Sequence, residues 1–171
     1  MRSLLLLFAV ILGCGPDPAD MAKNLESENP VIREDTAKIA HNFDSPEVRS
    51  ALVEALDDEA EMVRFNAIKS LVELEETQAV SKLVEMLETE ESPKVHREVI
   101  DALGQLQQVE AVPALIAHIE RNMDPKPPLN AIWALGFLED NQSLALLSAL
   151  AEHEDPYVAW NSKKALASLR P

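Results

Sequence analysis

The chain has 171 residues, enough for one domain with a core of its own. It carries 30 acidic against 15 basic residues, a formal charge of −15, which argues against binding nucleic acid or lying flat on anionic lipid. Apolar residues make up 47% and aromatic ones 4%, so the core is expected to be Leu, Val, Ile and Ala, and the single cysteine excludes a disulfide within the chain.

The first element in chain order stands apart from the rest. Arg2 is a short charged start, Leu4 to Leu12 is an unbroken apolar run, and Gly13 and Cys14 follow. The run is far shorter than the roughly 20 residues needed to cross a bilayer, so residues 1–13 read as a signal peptide. Ile11-Leu12-Gly13-Cys14 resembles a bacterial lipoprotein lipobox, which implies cleavage before Cys14 and lipidation of that cysteine. The alternative is an ordinary secretory signal with an incidental cysteine. Gly15 after the cysteine favours the outer membrane, on its periplasmic side. Without residues 1–13 the charge is 14 basic against 30 acidic, or −16, so lipid rather than the protein body is expected to hold the chain at a membrane in the cell envelope. Residues 14–29 read as a tether of about 50 Å at full stretch. Within it, residues 19–26 read as a partial leading helix, with Met21 and Leu25 covering the first repeat.

From residue 30 onward the chain repeats. One column reads Ile39, Leu71, Leu103, Leu135, Leu166, and a second reads Val48, Val80, Val112, Leu144, with a step of 32 residues broken once by 31. A fixed period of this size predicts stacked helical hairpins, about four and a half of them, over 30–171. The predicted helices, A and B in each hairpin, are A1 30–42, B1 45–56, A2 60–75, B2 78–88, A3 93–107, B3 110–122, A4 127–139, B4 142–152 and A5 156–169. Pro30, Pro93 and Pro156 stand in first turns, where a missing N–H costs nothing, and Ser92 and Asp155 are the expected N-caps. Val31, Val63, Val95 and Val158 mark position zero of the A helices. Position four (Ala67, Val99, Ala131) and position eleven (Leu74, Leu106, Leu138, Leu169) complete the core stripe. Position nine is small in most units, including Gly104 and Gly136, which lets the next helix approach closely.

Ala102-Leu103-Gly104, Ala134-Leu135-Gly136, Met62-Val63-Arg64 and Ala111-Val112-Pro113-Ala114-Leu115 carry a family resemblance. The chain resembles HEAT-repeat proteins of the phycobilin-lyase type over roughly 19–170. The resemblance implies an all-α, HEAT-like solenoid with a right-handed superhelix. It implies little about function, because such folds serve lyases, hydroxylases and scaffolds alike. The HEAT-like deoxyhypusine hydroxylases bind two irons through His-Glu pairs at positions two and three of their A helices. Here those positions hold Arg33-Glu34, Phe65-Asn66, Arg97-Glu98, Leu129-Asn130 and Trp160-Asn161, none of them His-Glu. His153-Glu154 stands alone in a loop. His41, His96, His118 and His153 fall in different columns and read as solvated or capping side chains. No catalytic residue, metal site or cofactor is expected.

Two surfaces are candidates for a protein partner. With position zero at 0° and about 100° per residue, the core stripe centres near 60°. Trp133, Phe137, Tyr157 and Trp160 fall between about 200° and 280°, away from it. They read either as a partner-binding patch or as an end cap on A5, the last helix, which has no B partner. The loops leading into the A helices carry Asp57, Asp58, Glu59, Glu90, Glu91, Glu154 and Asp155. A constant period aligns these as an acidic edge, whose alternatives are solvated charge, steering of a basic partner and a weak hold on divalent cations. Asn66, Asn130 and Asn161 share position three and read as a side-chain ladder between repeats.

These readings together predict a non-catalytic scaffold or adaptor for another protein, lipid-anchored in a bacterial envelope. The alternatives are an enzyme or enzyme subunit related to phycobilin lyases, and a self-associating envelope protein whose open A5 edge pairs with another copy.

Overall fold

A computed structural model of the protein describes residues 17–169. The signal segment, Cys14 and Gly15 lie outside the described residues. Ten α-helices and five short 3-10 turns are present among the described residues, with no strand. They divide into two compact units, one closing at Leu74 and the other opening at Glu75.

The first unit holds α1 (Pro18–Leu25), α2 (Pro30–Ile39), α3 (Pro46–Glu54) and α4 (Glu61–Glu73). Helix α1 packs on α2 and α3, burying Met21 and Leu25. Residues 18–25 are therefore the leading helix expected over 19–26, packed on the first repeat through Met21 and Leu25 as read from the sequence. The burial of two large apolar side chains on one face outweighs the entropy of an extended chain. Helices α2 and α4 stack as consecutive A helices.

Val31 departs from its column. It is 61% exposed, whereas Val63, Val95 and Val158 are fully buried. Helix α2 begins at Pro30, so Val31 is its second residue, while the other three valines are third in their helices. The buried stripe of α2 runs instead through Arg33, Thr36, Ala37 and Ala40. Arg33 is buried because its guanidinium is fully used: Nε and Nη2 donate to Asp58 at 2.5 and 2.9 Å, and Nη1 donates to the Ser27 carbonyl at 2.7 Å.

The second unit holds α5 (Val80–Thr89), α6 (Pro93–Gln105), α7 (Val112–Arg121), α8 (Leu129–Leu138), α9 (Leu144–Leu150) and α10 (Pro156–Ser168). The A helices α6, α8 and α10 stack in order, and α5, α7 and α9 pack against them as B helices. Leu103, Leu135, Val112, Leu115, Ile132 and Leu147 are fully buried between the layers. Helix α8 starts at Leu129 rather than 127, because the prolines at 127 and 128 hold the entry extended, with Pro128 as N-cap at ψ 114°. Position nine works as its small side chains require. A Cβ on Gly104 would lie 2.9 Å from Ala134 Cα, and one on Gly136 3.1 Å from Ala165 Cα.

The turns that follow α4, α6 and α8 share one design. Glu75, Gln107 and Glu139 have φ of 51°, 53° and 49° and recur every 32 residues. Each is followed by a 3-10 turn that buries a small side chain, Ala79, Ala111 or Ser143. A left-handed residue ending a helix is the usual place for glycine, and a side chain there is strained. Glu75→Gly is accordingly expected to stabilise the protein by about 0.5–1 kcal/mol, a rise of about 1–4 °C in Tm by circular dichroism.

Candidate functional site: an aromatic ridge on the A helices

Trp133 and Phe137 are one turn apart on α8, with ring centroids 6.0 Å apart. Trp160 projects from the neighbouring α10. The three are 40%, 47% and 58% exposed, so they stay at the surface instead of folding inward as a cap. Tyr157, 70% exposed, stands at the start of α10 and joins the group through its carbonyl, which accepts from Asn161 Nδ2 at 2.6 Å. The structure thus gathers Trp133, Phe137 and Trp160 into a ridge and leaves the Tyr157 ring to one side.

Two residues that the aromatic pattern does not reveal hold the ridge together. Asn161, buried, accepts a hydrogen bond from Trp133 Nε1. Lys164 sets its ammonium 4.4 Å from the Trp133 ring centre and 5.2 Å from that of Trp160. The first relation follows the repeat. Trp133 and Lys164 occupy position six of their helices, as does Asp101 on α6. Position six of one A helix faces the position-three asparagine of the next, so Trp133 meets Asn161 and Asp101 bonds to Asn130. The asparagine column is therefore a ladder between stacked helices at 130 and 161. Reading position six beside position three would have pointed to Asp101, whereas Lys164 is found only through its contacts with Trp133 and Trp160.

The ridge separates two grooves. Between α8 and α10 lies a space of about 280 Å³ bordered by Trp133, Phe137, Asn161 and Lys164. Between α6 and α8 lies a wider one of about 710 Å³, lined by Asp101, Gln105, Asn130, Trp133, Ala134 and Phe137. Burial pushes the Asp101 carboxyl above the usual carboxylate range, against the pull of the Asn130 hydrogen bond and the Arg97 charge.

The acidic edge is divided by the structure. Asp58, Glu90 and Asp155 are built into loop architecture. At four of the five A helices the side chain two residues before the N-cap accepts the N-cap N–H: Ser27 from Asn29 at 3.3 Å, Asp58 from Ala60 at 2.8 Å, Glu90 from Ser92 at 2.8 Å and His153 from Asp155 at 3.0 Å, while Pro128 of α8 has no N–H to give. Asp155 then caps α10, accepting from Tyr157 N at 2.8 Å and Val158 N at 3.3 Å. Burial works to raise the Asp58 carboxyl, but Arg33, the Ala60 N–H and the Arg64 charge hold it below the usual carboxylate range. Asp57, Glu59, Glu91 and Glu154 are exposed. The edge is therefore less a row of seven outward charges than a capping system with acidic side chains between its members.

The histidines also differ from their expected surroundings. His153 caps as expected, but His118 is buried, and its ring packs 5.1 Å from that of His96. The two come together because α6 and α7 belong to one hairpin, a contact invisible when columns are read one helix at a time. Glu88 and Arg121 form an ion pair beside them. Burial depresses the His118 pKa, the His96 and Arg121 charges push the same way, and Glu88 opposes them. The unfolded chain therefore takes up the His118 proton first, so this contribution to stability is complete above about pH 6.5 and is lost as the pH falls below it. A Tm that drops between about pH 7.5 and 5.5, and drops less in His118→Gln, is expected by circular dichroism. Among the described residues no group of three or more His, Cys, Asp or Glu converges as a metal site, and no helix is long and apolar enough to cross a membrane.

Stacked helical hairpins carrying an exposed aromatic ridge define a repeat scaffold. A family model of HEAT repeats matches residues 19–104 and 112–171, and the chain belongs to that family. A model of the PBS lyase HEAT-like repeat matches residues 95–121. No curated protein matches the chain. Among solved structures it is similar to the CpcE–CpcF complex of phycocyanin lyase from Nostoc sp. PCC7120, at 24% identity and a TM-score of 0.73. That match covers 91% of this chain and 66% of the other, so the chain spans just under two thirds of the lyase chain's length. It is also similar to a designed armadillo repeat protein in complex with the peptide (KR)4, at 19% identity and a TM-score of 0.65, covering 96% and 85%. Armadillo repeat proteins computationally designed for modular peptide recognition match at 20% identity and a TM-score of 0.63, covering 96% and 86%. At these identities the likeness is one of fold.

Proposed function

We propose that this protein is a non-catalytic adaptor that binds another protein through the Trp133–Phe137–Trp160 ridge, held in a bacterial envelope by lipid on Cys14. The observation that carries the reading is the ridge itself. Three large rings are 40–58% exposed, yet Asn161 and Lys164 hold the two indoles in place and Phe137 packs on Trp133. Aromatic side chains fixed before binding lose little entropy on contact and dominate interface energies. The HEAT-repeat family supports a scaffold; one structural neighbour is a designed protein in complex with a peptide, and another was designed for modular peptide recognition. The anchor rests on the apolar run and the lone cysteine. Helix α1 begins at Pro18, four residues past Cys14, so only about 14 Å of chain would separate lipid from repeats.

Crosslinking in intact cells followed by affinity purification tests the adaptor, with wild type beside Trp133→Ala and Trp160→Ala. Trp133→Ala is expected to weaken the partner by about 2 kcal/mol, roughly thirtyfold, while circular dichroism stays helical. Partners retained in full by both variants would remove the ridge from the interface. Cys14→Ser in the same cells should release the protein from the membrane fraction. The lyase-type repeat match and the lyase-subunit neighbour favour a second reading, a subunit of a lyase-type enzyme. Visible absorbance from a pigment on the purified protein would favour that reading over the adaptor.

A further inference from the structure

The two sides of the aromatic ridge differ in charge: Lys164 and Glu139 line the α10 side, and Asp101 alone, among the described charged residues, lines the α6 side. On its α10 side the ridge already holds a cation, Lys164. On its α6 side the groove is open and mostly apolar, walled by Trp133, Phe137 and Ala134. Asp101 is the one charged side chain among the described residues lining it, with the amides of Gln105 and Asn130 on either side. The carboxyl is partly desolvated, and burial outweighs the Asn130 hydrogen bond and the Arg97 charge, so a further cation would relieve it and an apolar or acidic occupant would worsen it. The whole chain, with 30 acidic and 15 basic residues, draws cationic partners and repels anionic ones. The Trp133 ring takes an ammonium at 4.4 Å from within the protein, so its π face already suits a positive group.

We propose that the α6–α8 groove binds a lysine or arginine side chain of an extended basic segment in the partner, with its charged head on Asp101 and its methylene stem along Trp133 and Phe137. This rests on the ridge being the partner-binding surface, and it adds the chemical class of that partner. Gln105 and Asn130 supply acceptor oxygens for the protons that Asp101 does not take. The rings cover the stem, which lysine and arginine bury readily while keeping the head polar.

Trp133 and Trp160 are the only tryptophans in the chain, so intrinsic fluorescence reads the site directly. The probe is the octapeptide (Lys-Arg)4, beside an analogue in which acetyl-lysine and citrulline remove the charges and keep the stems. Wild type is expected to bind the charged peptide and not the analogue. Asp101→Asn, which keeps the shape and the contact with Asn130, should weaken binding about tenfold or more. Glu91→Gln removes the same charge from an exposed loop and should change it less than twofold. Gln105→Glu places a second carboxylate in the groove and should tighten binding, which keeps the test alive if Asp101→Asn folds poorly. Equal losses in Asp101→Asn and Glu91→Gln would reduce the effect to diffuse attraction and overturn the proposal. So would equal binding of the charge-free analogue, or no binding at all. If (Lys-Arg)4 fails while Trp133→Ala still abolishes partner capture, the groove assignment falls and the ridge stands. If Trp133→Ala changes neither capture nor peptide binding, the ridge reading itself has failed.

Discussion

Gly104→Val is expected to destabilise the protein by about 3 kcal/mol, and Gly104→Ala by about 1–2 kcal/mol, read from urea unfolding followed by circular dichroism. An ordinary glycine inside a helix behaves the other way, since alanine there gains about 1 kcal/mol. The sign reverses because the first added carbon would sit 2.9 Å from the Cα and 3.0 Å from the Cβ of Ala134. Those atoms belong to the backbone and first side-chain carbon of α8, which cannot rotate out of the way. Helix α8 is also held on its far side by α10, so it has little room to retreat. Gly136→Ala should cost less, because the matching distances to Ala165 are 3.1 Å and α10 is the last described helix. An unfolding midpoint raised by Gly104→Ala would show that the two helices are not in this contact. The close approach matters beyond stability. The spacing of α8 and α10 sets the Trp133–Asn161 hydrogen bond and the place of Lys164 over both indoles. Gly136→Val should therefore loosen the ridge and weaken the partner even where the protein remains folded.

Leu135→Ala is expected to cost about 3–4 kcal/mol, while Leu166→Ala, one repeat later in the same column, costs about 1–2 kcal/mol. Leu135 is fully buried, with α6 and α10 on either side of its helix and α7 beneath. Leu166 is half-buried because no described helix stacks beyond α10. The same deletion thus leaves a closed cavity in one place and a shallow dent open to water in the other. Thermal unfolding of the two variants checks the difference. Equal losses would mean that something covers α10, and a second copy of the chain would then be the occupant to test by sedimentation.

Much of this was legible before any coordinates. The helix boundaries follow from Pro30, Pro93 and Pro156 at first turns and from Ser92 and Asp155 as N-caps, because caps and proline act within one turn. The outward direction of Trp133, Phe137, Tyr157 and Trp160 follows from spacing along one helix, which needs no neighbour. Val31 lies outside the buried stripe that its spacing suggests. A column aligned on residue type missed a helix that starts closer to its valine, and Arg33 took the buried place because Asp58 and the Ser27 carbonyl satisfy it. The acidic loops likewise read as a row of charge, while Asp58, Glu90 and Asp155 are occupied in capping.

The sequence by itself determined the type and length of the elements, their order, the small residues at position nine and the faces that point outward. Each of these depends on a period of 3.6 or 32 residues along a single strand of chain. The offset between neighbouring helices was decided only by the tertiary structure. That offset brings position six against position three, Lys164 between two indoles, His118 against His96, and Asp101 into a groove beside Trp133. The reason is that side chains on different helices meet according to how closely the backbones approach, here at Gly104 and Gly136. A distance of closest approach is a property of two packed surfaces and is not written in the period of either one.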